Sequence, residues 1–381
     1  MKRADRVDAV GPSGIRRFFE LAEARDDVIS LGVGEPDFSA PWPARQAAIE
    51  SLERGRTSYT ANRGMADLRA AICEHVDRRY DLSYDPDEEA VVTAGVSEGV
   101  DLAMRAFVDP GETVAVPQPS YICYEPGVTF AGGEVCRVPT DEADEFVLTR
   151  EALAAAGADE ATALVLCYPN NPTGAVMTRE ELEPVAAFAR EHDLLVLSDE
   201  IYADLTYGHD HTSIATLPGM RERTVVFNGF SKAYAMTGLR LGYALGPPAA
   251  IAAMTRIHQY SMLSAPTTAQ YAALEALESC DDAVAEMVAA YDRRRQFLLA
   301  RFEEMGLDAF EAKGAFYAFP EVPGGDAEAF AENLLDDQGV AVVPGDAFGR
   351  AGEGHVRVSY ATGMEELREA TDRMERFLRD H

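Results

Sequence analysis

Lysine is nearly missing from this chain: among 34 basic residues in 381, only Lys2, Lys232 and Lys313 are lysines. Basic charge of either kind is outweighed by 65 aspartates and glutamates, for a formal net charge of −31 and a pI near 4.5. That balance argues against nucleic acid and anionic membrane surfaces as partners. No run approaches the eighteen or so apolar residues of a membrane span, and the opening MKRADRVDAVGPSG has no apolar secretion core, so a cytoplasmic location is expected. Paired cysteine spacing is lacking as well. Cys73, Cys123, Cys136, Cys167 and Cys280 are odd in number and form no C-x-x-C, as expected of small core residues in a reducing compartment. The G-x-G of Gly32 and Gly34 in SLGVGEPDF meets Pro36 instead of a third glycine and a helix, which excludes a dinucleotide fingerprint. His209 and His211, in GHDHTS, have no third ligand in register, so they read as a solvated loop rather than a metal site.

An acidic surface almost without lysine points to a salt-rich cytoplasm. Molar salt shortens the screening length to about 3 Å and removes most of the self-repulsion that such a charge creates.

What is present is enough for two packed domains, with 47% of residues apolar. Seven strand-like runs between residues 90 and 245 alternate with helical stretches, predicting an α/β domain with a mostly parallel sheet. Residues 1 to 30 read as an amphipathic lead-in, with Ile15, Phe18, Phe19 and Leu21 on one face. A long helical segment, AVAEMVAAYDRRRQFLLARFEEM, leads into a smaller unit with GAFYAFP, a helix near 326–337, and strands GVAVVP and HVRVSYA. Thr362 and Glu365 are expected to form a capping box for the closing helix.

Lys232 lies in TVVFNGFSKAYAMTGLRLGY, between two strand-like runs and eight residues before Arg240. An arginine stays protonated, whereas a desolvated lysine amine can lose its proton and attack a carbonyl carbon. An imine-forming lysine with an arginine beside it suits pyridoxal phosphate, whose phosphate the arginine would meet. Gly95-Val96-Ser97, between the strand AVVTAG and the helix VSEGVDLAMRAF, is either an ordinary turn or an anion site at a helix N-terminus; the nearby Lys232 and Arg240 favour the anion site. Asp199 ends the apolar strand LLVLSDEIY, where a carboxylate needs a cationic partner or serves as a helix cap. A pyridinium N–H is such a cation, and Tyr202 stands three residues on. Asn171, in NPTG, precedes Pro172, which makes an extended conformation and a cis bond expected there. Arg357 alternates with Val356 and Val358, so it faces away from the core and presents a fork for a carboxylate.

The run NGFSKAYAMTGLRLGY, with NPTG and SDEIY, resembles the cofactor-lysine signature of the class I/II aminotransferases, fold-type I pyridoxal-phosphate enzymes, and the similarity extends over essentially the whole chain. It is nearest to the prokaryotic and archaeal aromatic-amino-acid and aspartate aminotransferases. The resemblance implies a large cofactor-binding domain at residues 36–285, with a seven-stranded mostly parallel sheet, and a smaller α+β domain made of 1–35 and 286–381. It implies that Lys232 carries pyridoxal 5′-phosphate and shuttles the proton in a ping-pong exchange between an L-amino acid and a 2-oxo acid. Asp199 would protonate the ring, Tyr202 and Asn171 would donate to its phenolic oxygen, and Gly95, Val96, Ser97 and Arg240 would hold the phosphate. Tyr121, with Tyr124 as the competing choice, would stack on the ring. Gly34, Asn171 and Arg357 would bind the substrate, Arg357 through its α-carboxylate. Tyr59 would reach the phosphate of a neighbouring subunit, making a homodimer with shared sites. Ser97 stands where aspartate-specific relatives tend to carry lysine, which favours aromatic or broad specificity. An aspartate-preferring transaminase and a C–S lyase on the same fold are the alternatives.

Overall fold

The computed structural model describes residues 2–12, 14–15 and 27–380. Of the expected lead-in face, Phe18, Phe19 and Leu21 lie outside the described residues, while Ile15 is buried.

Seven strands make the central sheet: β1 (Ala90–Thr93), β2 (Thr113–Gln118), β3 (Glu134–Pro139), β4 (Ala163–Cys167), β5 (Leu195–Asp199), β6 (Thr224–Gly229) and β7 (Gly242–Leu245). Their order across the sheet is β1-β7-β6-β5-β4-β2-β3. Every neighbouring pair is parallel except those made by β7, which runs antiparallel to both β1 and β6. Strands such as ALVLC and TVVFNG are buried along their whole length, as strands covered on both faces must be, and they therefore read as continuous apolar runs. One face carries helix α1 (Val96–Phe107), which packs on β6 and β7 through Val100, Ala103 and Met104.

The second layer is a three-stranded antiparallel sheet of β8 (Tyr317–Ala318), β9 (Val343–Pro344) and β10 (Val356–Ser359), with β10 in the middle. A 25-residue helix, α2 (Asp281–Met305), runs straight through residue 285, where the sequence suggests a division, and ends at Gly306 in the left-handed region. The closing helix, α3 (Met364–Asp380), begins late enough that Glu366, not Glu365, meets Thr362: the Thr362 hydroxyl donates to the Glu366 carboxylate at 2.6 Å.

Two other expectations are corrected. The cis bonds are at Gln118–Pro119 and Tyr168–Pro169, so the bond between Asn171 and Pro172 is trans. Pro172 instead sits inside a tight turn that Asn170 closes, accepting from the Thr173 N–H on its side chain and from the Gly174 N–H on its carbonyl. His211 is not a solvated loop residue either. Its imidazole is 6% exposed and bonds to the buried Glu200 carboxylate at 2.8 Å, because the loop folds back against Tyr80.

Candidate active site

The sheet topology explains why so many chemistry-bearing residues meet. Gly95 follows β1 by two residues, Tyr121 follows β2 by three, Asn171 follows β4 by four, Asp199 ends β5, and Lys232 follows β6 by three. All lie at the carboxyl edge of the parallel strands, where open α/β sheets place their ligands. Arg240 comes just before β7, and because β7 is reversed, its start lies at that same edge.

Tyr121, Asn171, Asp199, Lys232 and Arg240 line one cavity of about 650 Å³, together with Gly34, Val96, Ser97, Tyr202 and Arg357. Of the sequence-derived candidates, Gly95 and Tyr59 are not on its wall. Gly95 stands directly behind it, with φ +82°, and a Cβ there would lie 2.9 Å from the Arg240 guanidinium. Glycine is required on both counts. Tyr59 is 79% exposed, turned away from the cavity of its own chain.

Of the three lysines, only Lys232 reaches the cavity; Lys313 lies 3.8 Å from Glu145 at the surface. The Lys232 amine donates to the Gly34 carbonyl at 2.6 Å, and the rings of Tyr202 and Phe316 lie 5.7 and 5.6 Å from it. Burial, followed by the positive charge of Arg357, brings its pKa down to about 8. Asp199 is held up at about 6, chiefly by burial, against the Tyr124 hydroxyl and Ile201 N–H that favour its anion. Tyr121 and Tyr124 both line the cavity, but Tyr124 is 1% exposed with its hydroxyl donating to Asp199 at 2.8 Å, whereas Tyr121 is only half-buried and better placed to cover a ring.

Arg357 is 2% exposed on the central strand of the small sheet. Its guanidinium carbon lies over the ring of Tyr317 at 4.5 Å and over that of Phe348 at 4.8 Å. One terminal nitrogen donates to the Asn171 side-chain oxygen at 2.8 Å and the other to the Gly32 carbonyl at 2.6 Å, while Nε has no partner among the described residues. A flat cation packed against two aromatic rings, with donors to spare, is a ready receptor for a carboxylate. With its oxygen committed to Arg357, the Asn171 amide can only donate into the cavity.

At the start of α1 the N–H groups of Val96 and Ser97 have no helical acceptors, and the positive end of the helix dipole faces the same space as Arg240. Sequence reasoning missed Tyr317, which lines the cavity and whose hydroxyl lies 3.0 Å from that of Tyr202. Its only sequence signal was one hydroxyl in the aromatic run GAFYAFP. Ile15, Ile122, Ser231 and Thr237 also line the cavity; Ser231 and Thr237 lie within the SKAYAMTG run, where only Lys232 was assigned a role.

A family model described as "Aminotransferase class I and II" matches residues 26–374. The chain is 51% identical over 377 residues to a putative aminotransferase of Bacillus subtilis, covering 98% of each. It is 45% identical over 385 residues to an aspartate aminotransferase of Pyrococcus abyssi, covering 100% of this chain and 99% of that one. Among solved structures it resembles an aromatic aminotransferase from Pyrococcus horikoshii at 44% identity, with a TM-score of 0.91, covering 96% of this chain and 99% of the other.

Proposed function

We infer what each residue of the cavity does from one premise: this chain belongs to the class I and II aminotransferases, enzymes that depend on pyridoxal phosphate. It moves an amino group between an amino acid and a 2-oxo acid. Bound in the cavity, the cofactor supplies a carbonyl that condenses with amines and a ring that takes up the electrons left when a proton departs from Cα.

The residues fit this cofactor. The cradle of Gly95, Val96 and Ser97 under Arg240 suits a phosphate, since any side chain at Gly95 would fill it. Tyr59 of a second chain completes that cradle. Asp199 is a buried carboxylate whose pKa of about 6 reflects the want of a cation, and the protonated ring nitrogen provides one. Tyr202 and the Asn171 amide donate to the phenolic oxygen, and Tyr121 covers one face of the ring. The amine of Lys232 carries the cofactor, and its pKa near 8 leaves about a tenth of it neutral at pH 7, against well under a thousandth for a free lysine. Once displaced, that amine would take the Cα proton and deliver it to C4′ of the cofactor, on the other side of the intervening nitrogen. Arg357 grips the α-carboxylate, with the Gly34 backbone beside it.

Three cations line the cavity, Lys232, Arg240 and Arg357, and each already has a task. No lysine stands at Ser97, and Ile15, Ile122 and Val100 add apolar wall. Uncharged, above all aromatic, side chains are the substrates this wall favours. The observation that carries the whole reading is the convergence of a neutralisable Lys232, a buried Asp199 and a stacked Arg357 in one cavity. An amino-donor panel against 2-oxo acids in molar KCl tests it. Aromatic donors should exceed aspartate in kcat/KM; the reverse order would make the enzyme aspartate-preferring, and thiol release without a 2-oxo acid would make it a C–S lyase.

The working form is a cytoplasmic homodimer adapted to salt. Trp42, Ile49 and Leu52, on the helix Trp42–Glu53, are 57, 48 and 55% exposed, and Tyr260 is 86% exposed. The loop holding Tyr59 is tied to this surface: the Asn62 side chain donates to the Leu263 carbonyl and the Thr267 hydroxyl to the Ser58 carbonyl. So large an apolar face is what a second copy covers.

A further inference from the structure

Tyr202 and Tyr317 come from different sheets, Tyr202 three residues beyond the end of β5 and Tyr317 on β8, yet their hydroxyls meet at 3.0 Å in the cavity wall. Both side chains are buried. Each phenol has one proton, so the pair has two protons and one mutual hydrogen bond to fill. Whichever hydroxyl donates within the pair has no proton left for a ligand. If Tyr202 donated to Tyr317, it would face the cofactor's phenolic oxygen with lone pairs only, and two oxygens would repel.

We propose that Tyr317 is a positioning residue that fixes the direction of this pair: its hydroxyl donates to Tyr202, and the Tyr202 proton is thereby aimed at the phenolic oxygen of the cofactor. The inference rests on the placing of that oxygen beside Tyr202 proposed above. Two features of the Tyr317 site support it. Burial raises both phenols, Tyr202 further than Tyr317; the Arg357 guanidinium, over the Tyr317 ring at 4.5 Å, is the main group opposing that rise at Tyr317 and favours its hydroxyl as the donor. The Gly34 backbone packs close to the Tyr317 hydroxyl, since a Cβ on Gly34 would come within 2.4 Å of it, and Tyr202 is the one partner the hydroxyl has among the described residues. A chain of two hydroxyls also polarises cooperatively, making Tyr202 a stronger donor than a lone tyrosine.

The effect is read from the bound cofactor at rest, without turnover. Donation into the phenolic oxygen draws charge from it and lowers the pH midpoint of the cofactor's absorbance change. Tyr317→Phe keeps the ring that supports Arg357 and removes only the hydroxyl. It should raise that midpoint by about half to one pH unit, the equivalent of one lost hydrogen bond, while leaving KM for the amino acid within about twofold of the parent. Tyr202→Phe should raise the midpoint further, and adding Tyr317→Phe to it should change nothing more. A shift in Tyr202→Phe with none in Tyr317→Phe would overturn the positioning role alone. No shift in either variant would instead show that the phenolic oxygen is not beside Tyr202. A rise in KM equal to that from disturbing Arg357 would mean that Tyr317 acts through the guanidinium and not through Tyr202.

Discussion

Replacing Arg357 with lysine keeps the charge and removes the geometry. The guanidinium packs over the rings of Tyr317 and Phe348, and two of its five N–H groups are spent on Asn171 and Gly32. The remaining donors lie in the plane of the fork, so a carboxylate meets them as a pair of parallel bonds. A lysine ammonium has three donors at one point, cannot stack flat over the two rings, and loses one of the two carboxylate bonds. A hydrogen bond to a charged group contributes about 1.5 to 3 kcal/mol. That loss corresponds to a rise of roughly 10- to 150-fold in KM for the amino donor. The bond is made in ground and transition states alike, so kcat should fall far less than KM rises. Steady-state kinetics at saturating 2-oxo acid measure both, and cofactor absorbance confirms that the variant is loaded. A KM within twofold of the parent would refute the assignment of Arg357 to the carboxylate.

Three further outcomes are expected. Lys232 has a pKa near 8, so below that value the neutral fraction of its amine falls about tenfold per pH unit; the rate of cofactor uptake by the stripped enzyme should climb through pH 8 and level off above it. Borohydride reduction and peptide mapping should then find the label on Lys232, and label on Lys313 would sink the assignment. Diluting the enzyme from molar to 0.1 M KCl lengthens the screening distance from about 3 to about 10 Å. With a net charge of −31 this should loosen the dimer and release cofactor together in sedimentation runs; an active monomer would contradict the shared site, and full activity in low salt would contradict only the salt adaptation.

The parts legible from sequence were those written in contiguous residues. Each buried strand is an apolar run, and the groups that follow β1, β2, β4, β5 and β6 could be placed at one edge because parallel strands all deliver their ends there. What depends on pairing between distant segments was not legible. Nothing in SKAYAMTGLRLGY reveals that β7 inserts between β1 and β6 in reverse. Tyr317 looked like one more aromatic in a strand, since its role comes from Tyr202, 115 positions away. His211 was misread because the carboxylate that receives it, Glu200, is buried by the return of a loop, which no local pattern of polar residues records. The glutamate serving Thr362 was missed by one position, a displacement set by where the closing helix begins.

The reversed strand has a genetic consequence. Gly229 pairs with Gly242 and Asn228 with Tyr243, so the twelve positions from 230 to 241 form a loop pinned at both ends by one antiparallel ladder. Lys232 and Arg240 both lie within it. The spacing between the group proposed to carry the cofactor and the cation proposed to meet its phosphate is therefore encoded in a single short stretch of gene, independent of the rest of the chain. Recombination on either side of that stretch would pass the two on as one cassette. An insertion of even a few codons inside it would separate them, although every strand of the sheet stayed paired.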